Sequence, residues 1–154
     1  MNFHLSAVSL DEASMVALST AIAQEREVAV LDLLDANSFR VEGSDRGPYE
    51  LTLAVEEGRL VFDIRRDAED HARILLSLAP LRALIRDYWL ICESYYKAIR
   101  TATPQQVESL DAGRKSLHDE GATELRQRLH GRIETDFDTA RRLFTLICVL
   151  QLRP

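Results

Sequence analysis

The clearest alternation of apolar and polar positions lies in YELTLAVEEGRLVFDIR, residues 49–65. Tyr49, Leu51, Leu53 and Val55 alternate with Glu50, Thr52, Ala54 and Glu56. After Glu57-Gly58, Leu60, Phe62 and Ile64 alternate with Val61, Asp63 and Arg65. A two-residue turn at Glu57-Gly58 pairs Val55 with Leu60, Leu53 with Phe62 and Leu51 with Ile64, which gathers the apolar set on one face. The opposite face then pairs Thr52 with Asp63 and Glu50 with Arg65. Agreement on both faces predicts an antiparallel hairpin that needs a cover on one side.

The flanking patterns supply that cover. Residues 3–9 alternate weakly, as a short edge strand does. Ser9 and Glu12 in SLDE fit a capping box and predict a helical turn there. Ile22, Ala29, Val30, Leu33 and Leu34 recur at helical spacing and predict a helix over Ile22–Asn37, with Glu25, Asp32 and Asp35 on the other side and Asn37-Ser38 as its stop. RRDAEDHA reads as a solvated loop, and residues 73–78 as a further strand. From Pro80, placed at a first helical position, the period becomes helical: Leu81, Leu84, Ile85, Tyr88, Ile91, Cys92, Tyr95 and Ile99 form one stripe. TPQQ at 103–106 has Thr as cap, Pro at N1 and Gln at N3. The pattern continues through Gly113 and Gly121, and leaves open whether residues 104–130 are one helix or two. ETDFDTARRL opens the last helix, with Asp136 or Asp138 as its cap. LFTLICVL is apolar apart from Thr145, the composition of a central, buried rod.

These elements predict an α+β fold: a small antiparallel β-meander packed on a helical layer with a buried C-terminal helix. One domain over residues 1–154 is expected, strand-rich over 1–78 with one helix near 22–37, and helical over 79–154.

Composition narrows the class. The chain has 154 residues, 46% hydrophobic and 29% charged, as globular proteins do. The uncharged run Leu143–Leu152 is too short to span a bilayer, which takes about 20 residues. MNFHLSAVSLDE has neither a basic nor an apolar leader region, so a cytoplasmic location is expected. Cys92 and Cys148 fall within apolar helical patterns and read as reduced core thiols. Residues 1–70 hold 6 Lys+Arg against 15 Asp+Glu, and residues 71–154 hold 13 against 10. The acidic half opposes general nucleic-acid affinity; the weakly basic half leaves an anionic contact open.

Candidate chemistry is sparse. In SLHDEGATELRQRL, His118, Asp119 and Glu120 stand in a row. A helix splays consecutive residues by about 100°, so the three do not converge on a metal. His118 is expected in a last helical turn before Gly121, near free carbonyls, and Asp111 with Lys115 as an i,i+4 pair. Cys92 lacks a His partner in sequence, and GSDRG at 43–47 lacks the spacing and Lys of a phosphate loop. No catalytic set, metal site or cofactor signature emerges.

One constellation stands apart. Glu93, Tyr96, Lys97 and Arg100 share a helix face, and Arg114, Arg141 and Arg142 belong to neighbouring helices. If those faces meet they form an Arg-rich groove for a carboxylate or phosphate, with Glu93, Tyr96, Arg100, Arg114, His118 and Arg141 as its ligand-binding residues. Trp89, Tyr96 and Lys97 flank the apolar stripe as an interaction surface does. The preferred reading is a non-enzymatic cytoplasmic interaction or regulatory module, binding a protein partner or a second copy of itself. The alternatives are a small enzyme or ligand-binding domain using the groove, and an RNA-associated protein using the basic half.

GPYELTLAVEEGRLVFDIR, DYWLICESYYKAIRTATPQQVESLDAGRKSLHDEG and IETDFDTARRLFTLICVL, with EREVAVLDLLDANSF upstream, together resemble uncharacterised protein family 0262 of the alphaproteobacteria. The resemblance covers roughly residues 20–150. It implies a stand-alone cytoplasmic bacterial domain, and carries no activity, cofactor or catalytic residue.

Overall fold

A computed structural model describes residues 2–11 and 20–150. Four strands form a mixed sheet in the order β1-β3-β4-β5: β1 is Leu5–Leu10, β3 Tyr49–Glu56, β4 Arg59–Arg66 and β5 Glu69–Ser77. The β3–β4 hairpin has the expected register, with Val55 opposite Leu60, Leu53 opposite Phe62, Leu51 opposite Ile64 and Glu50 opposite Arg65. Its turn residues Glu57 and Gly58 have φ of 52° and 73°, as a two-residue hairpin turn following the strand twist requires. One expectation changes: Ala54 and Val61, on the nominally polar face, are also buried.

The segment read as a solvated loop is a hairpin, and Ser9, expected both in an edge strand and as a helix cap, lies in the strand. RRDAEDHA is a second tight hairpin: Arg66 pairs with Glu69 across Asp67-Ala68, both with positive φ. Its polar side chains suit the exposed end of β4 and β5. Ser9 belongs to β1, its hydroxyl 3.0 Å from that of Thr52. It therefore does not cap a helix from within SLDE; Glu12 lies outside the described residues. β1 runs parallel to β3, so the sheet is an antiparallel meander with a parallel strand added at one edge.

The first helix, α1, spans Thr20–Asp35. Asn37 closes it: the side-chain amide donates to the Leu33 carbonyl at 2.8 Å and to the Leu5 carbonyl at 3.0 Å, while its oxygen accepts from Leu5 N–H at 2.6 Å. The same residue thus satisfies a helix end and ties it to the sheet edge. A second, two-stranded sheet pairs β2, Phe39–Val41, with β6, Ile133–Thr135.

Pro80 sits in a 3-10 turn, Ala79–Leu81, leading into α2, Arg82–Thr101. The next helix, α3, is one piece over Pro104–Leu129. Thr103 and Gln106 make the reciprocal capping bonds at 3.3 and 3.1 Å. The last helix, α4, spans Phe137–Leu150 and is capped by Asp136, which accepts from Thr139 N–H at 2.9 Å. Leu143 through Leu150 are buried without a break, and α1, α3 and β3 all pack on α4. It is the central rod that its composition predicts.

Gly121 explains why α3 does not break there. A Cβ at this position would lie 2.5 Å from the Phe144 ring of α4. The glycine lets two helices approach closely and is fully inside the helix.

Candidate functional site

Three helices meet α1 along a cleft, and side-chain spacing decides what lines it. On α3, Arg114 and His118 are one turn apart, and Lys115 follows Arg114. On α4, Arg141 and Thr145 are one turn apart, with Arg142 beside them. Glu25, Val28 and Asp32 of α1 form the opposite wall, and these side chains enclose about 190 Å³. A neighbouring depression of about 390 Å³ is walled by Tyr95, Tyr96, Ile99 and Arg100 of α2, and shares Glu25, Val28 and Arg114 with the first.

Of the six ligand-binding candidates, Tyr96, Arg100, Arg114, His118 and Arg141 line these two adjacent depressions. Glu93 does not. It is exposed and lines neither wall, because its position on α2 turns it away from α1.

Glu25 is the residue that sequence reading placed on the wrong side. It is only 7% exposed. Its position follows from spacing: Ile22, Glu25, Ala29 and Leu33 are all buried, an i, i+3, i+7, i+11 series on one helix face. Leu34, assigned to the apolar stripe, is instead 42% exposed. Three donors compensate the carboxylate. Tyr88 donates to Oε2 at 3.1 Å, and Tyr96 and Arg114 Nη1 donate to Oε1 at 2.7 and 3.1 Å. Arg114 also donates to Asp111 at 2.8 Å, and Asp111 pairs with Lys115 at 3.2 Å. Burial opposes the Arg114 charge, but Asp111 and Glu25 outweigh it and raise its pKa. Burial raises the pKa of both tyrosines, most strongly Tyr88.

His118 occupies the middle of α3, not a last turn near free carbonyls, because α3 continues past Gly121. Its Nε2 lies 2.7 Å from Thr145 Oγ. Thr145 Oγ also lies 3.3 Å from the Arg141 carbonyl, so this hydroxyl links the imidazole of α3 to the backbone of α4. The ring stacks on Tyr88 at 4.7 Å between centroids. Burial, then the charges of Arg114, Arg141 and Arg142, depress its pKa to about 4.

This depression sets a pH dependence. Above the unfolded value near 6.5, His118 is neutral in both states and contributes no slope. Between pH 6.5 and 4 the unfolded chain binds the proton and the folded chain does not, so stability falls as pH falls. The loss amounts to a few kcal/mol at most, on the order of 1.4 per pKa unit. Denaturant titrations at pH 7 and pH 5 are expected to show this loss in the native chain. His118→Gln should flatten that interval; an unchanged slope would show that His118 is not the group responsible.

Of the expected interaction surface, Trp89 lies inside the protein and Lys97 on its exterior. Trp89 is 8% exposed and its indole N–H donates to the Cys148 carbonyl at 2.8 Å. Packing of α4 against the flank of α2 buries Trp89, outside the eight-residue stripe, while Ile99 at the end of that stripe is 50% exposed. Tyr96 faces Glu25, and Lys97 is exposed. The two thiols are free and buried; burial pushes Cys92 up to about 12 and Cys148 well above its ordinary value. Neither is an activated nucleophile.

The cleft's cations already have partners. Arg141 lies 3.2 Å from Asp119 and 3.7 Å from Asp138, and Arg142 lies 3.9 Å from Asp32. Among the described residues the buried Nε–H of Arg114 meets no acceptor, while those of Arg141 and Arg142 face carboxylates at 3.2 and 3.9 Å without hydrogen-bond geometry. Among the described residues no helix is long and apolar enough to cross a membrane.

Sequence comparison agrees with the resemblance seen in the motifs. The model of an uncharacterised protein family, UPF0262, matches residues 2–153. A UPF0262 protein of Phenylobacterium zucineum is 54% identical over 97% of this chain and 93% of its own length. Those of Caulobacter vibrioides and Brucella anthropi are 52% and 54% identical, each over 99% of this chain and 95% and 96% of their own. No solved structure matches the chain significantly.

Proposed function

We propose that this chain, which belongs to the uncharacterised protein family UPF0262, is a cytoplasmic ligand-binding module that takes a small anion in the α1–α3–α4 cleft. The observation that carries the reading is the convergence of Arg114, Lys115, Arg141 and Arg142 from two helices on one concavity. Guanidinium forks on rigid helices suit carboxylate or phosphate oxygens. His118 and Thr145 add no carboxylate to the floor, and the acidic side chains of the site, Glu25 and Asp32, stand on the α1 wall. Binding, without chemistry, is what the donor set supports: the buried thiols are deactivated, and Glu25 spends its oxygens on three donors. Two unpaired, buried cysteines suit a reducing compartment.

Arg141 and Asp119 provide the test. Their pair is partly exposed, with side chains 31% and 56% accessible, so breaking it costs little stability. Calorimetric titration with inorganic phosphate at low salt is expected to show binding that weakens about tenfold in Arg141→Gln, the loss of one charge-assisted contact. Asp119→Asn should tighten it, because phosphate no longer displaces a carboxylate from Arg141. No heat or melting shift beyond that of chloride at equal ionic strength would sink the reading.

A further inference from the structure

We infer that the anion is amphipathic: a phosphate or carboxylate head attached to an apolar body about the size of a phenyl ring. This deepens the anion-binding reading and rests on it. The head belongs beside Arg141 and Arg142. The body belongs in the adjoining depression, which has a different chemistry.

That depression borders the first along Glu25, Val28 and Arg114, so a molecule lying across these three side chains can reach both. Across it, Val28 of α1 and Ile99 of α2 are 49% and 50% exposed. Single exposed apolar residues are ordinary. Here two of them, on different helices, border one concavity together with two tyrosines. The tyrosines are fixed before any ligand arrives. The Tyr96 hydroxyl is held by Glu25 at 2.7 Å. The Tyr95 ring meets Tyr96 edge-on at 5.3 Å and lies under the Arg114 guanidinium at 4.9 Å. A preset aromatic wall gains contact without losing rotamer freedom on binding. Arg100 at the same rim favours an anion over a neutral apolar ligand. An inorganic ion would use half of this surface; a wholly apolar molecule would leave the guanidinium groups unused.

The experiment compares phenyl phosphate with inorganic phosphate on the full chain by calorimetry. Phenyl phosphate is expected to bind about tenfold tighter, from apolar contact alone. Ile99→Ser, at a half-exposed site that tolerates polarity, should abolish that advantage and leave the inorganic phosphate affinity unchanged. Equal affinities for the two probes in the native chain, or an advantage that survives Ile99→Ser, would overturn the amphipathic assignment while leaving anion binding in place. Absence of binding by both would overturn the anion site itself, and this inference with it. Circular dichroism of Ile99→Ser checks that the variant is folded.

Discussion

Glu25→Ala is expected to destabilise the protein by about 3–5 kcal/mol, the cost of breaking a buried ionic network from one side. The change removes the shared acceptor of Tyr88, Tyr96 and Arg114. Tyr88 is 0% exposed, so water cannot easily replace the lost oxygen, and its hydroxyl is left without that partner. Arg114 keeps Asp111, which moderates its loss. Tyr96 is half-buried and recovers part of its bond from solvent. Most of the penalty therefore falls on Tyr88 and on the void left under α1. Glu25→Gln separates charge from shape. Its amide preserves the volume, but its NH₂ group faces donors, so an intermediate cost of roughly 1–3 kcal/mol is expected. Urea unfolding midpoints at constant m-value measure both. A loss below about 1 kcal/mol for Glu25→Ala, the size of an ordinary surface change, would mean that the carboxylate is solvated and the network does not hold α1.

This residue also shows where sequence reading stops. A carboxylate counts as a solvent-facing residue on any hydropathy pattern, even where, as at Glu25, its spacing from Ile22, Ala29 and Leu33 puts it on the buried face. What makes its burial tolerable comes from partners 63, 71 and 89 residues away. Local signals were readable: the Glu57-Gly58 turn with its two-sided register, the Thr103–Gln106 capping box, and the apolar run of α4. Non-local ones were not. The parallel pairing of β1 with β3 and the three-residue pairing of β2 with β6 leave no periodic trace. The Asp67-Ala68 turn was hidden because its flanking residues are charged on both strands. Trp89 lay outside an eight-residue stripe, yet α4 reaches it through the Cys148 carbonyl. The groove was partly legible because Arg114, His118 and Arg141 follow helical spacing on their own elements; that α1 would close it with an acidic wall was not.

Gly121→Ala is the second large expected effect, and its sign is not the one that helix propensity gives. Alanine is favoured over glycine within a helix by about 1 kcal/mol. Here the added methyl would lie 2.5 Å from two atoms of the Phe144 ring and 2.6 Å from a third. Phe144 is 0% exposed and packs edge-on against Tyr88 at 5.9 Å, so the ring has nowhere to go unless α3 and α4 separate. Overpacking costs of this kind run to about 1–3 kcal/mol, and a net destabilisation of that size is expected after the propensity gain. The decisive measurement is a double-mutant cycle with Phe144→Leu. Leucine shortens the side chain that the methyl meets, so Gly121→Ala should cost less in that background, with a coupling of roughly 1 kcal/mol or more in the compensating direction. Additive effects would show that the two positions do not touch. A stabilising Gly121→Ala would show that the glycine serves no close approach, and that α3 crosses α4 at an ordinary distance.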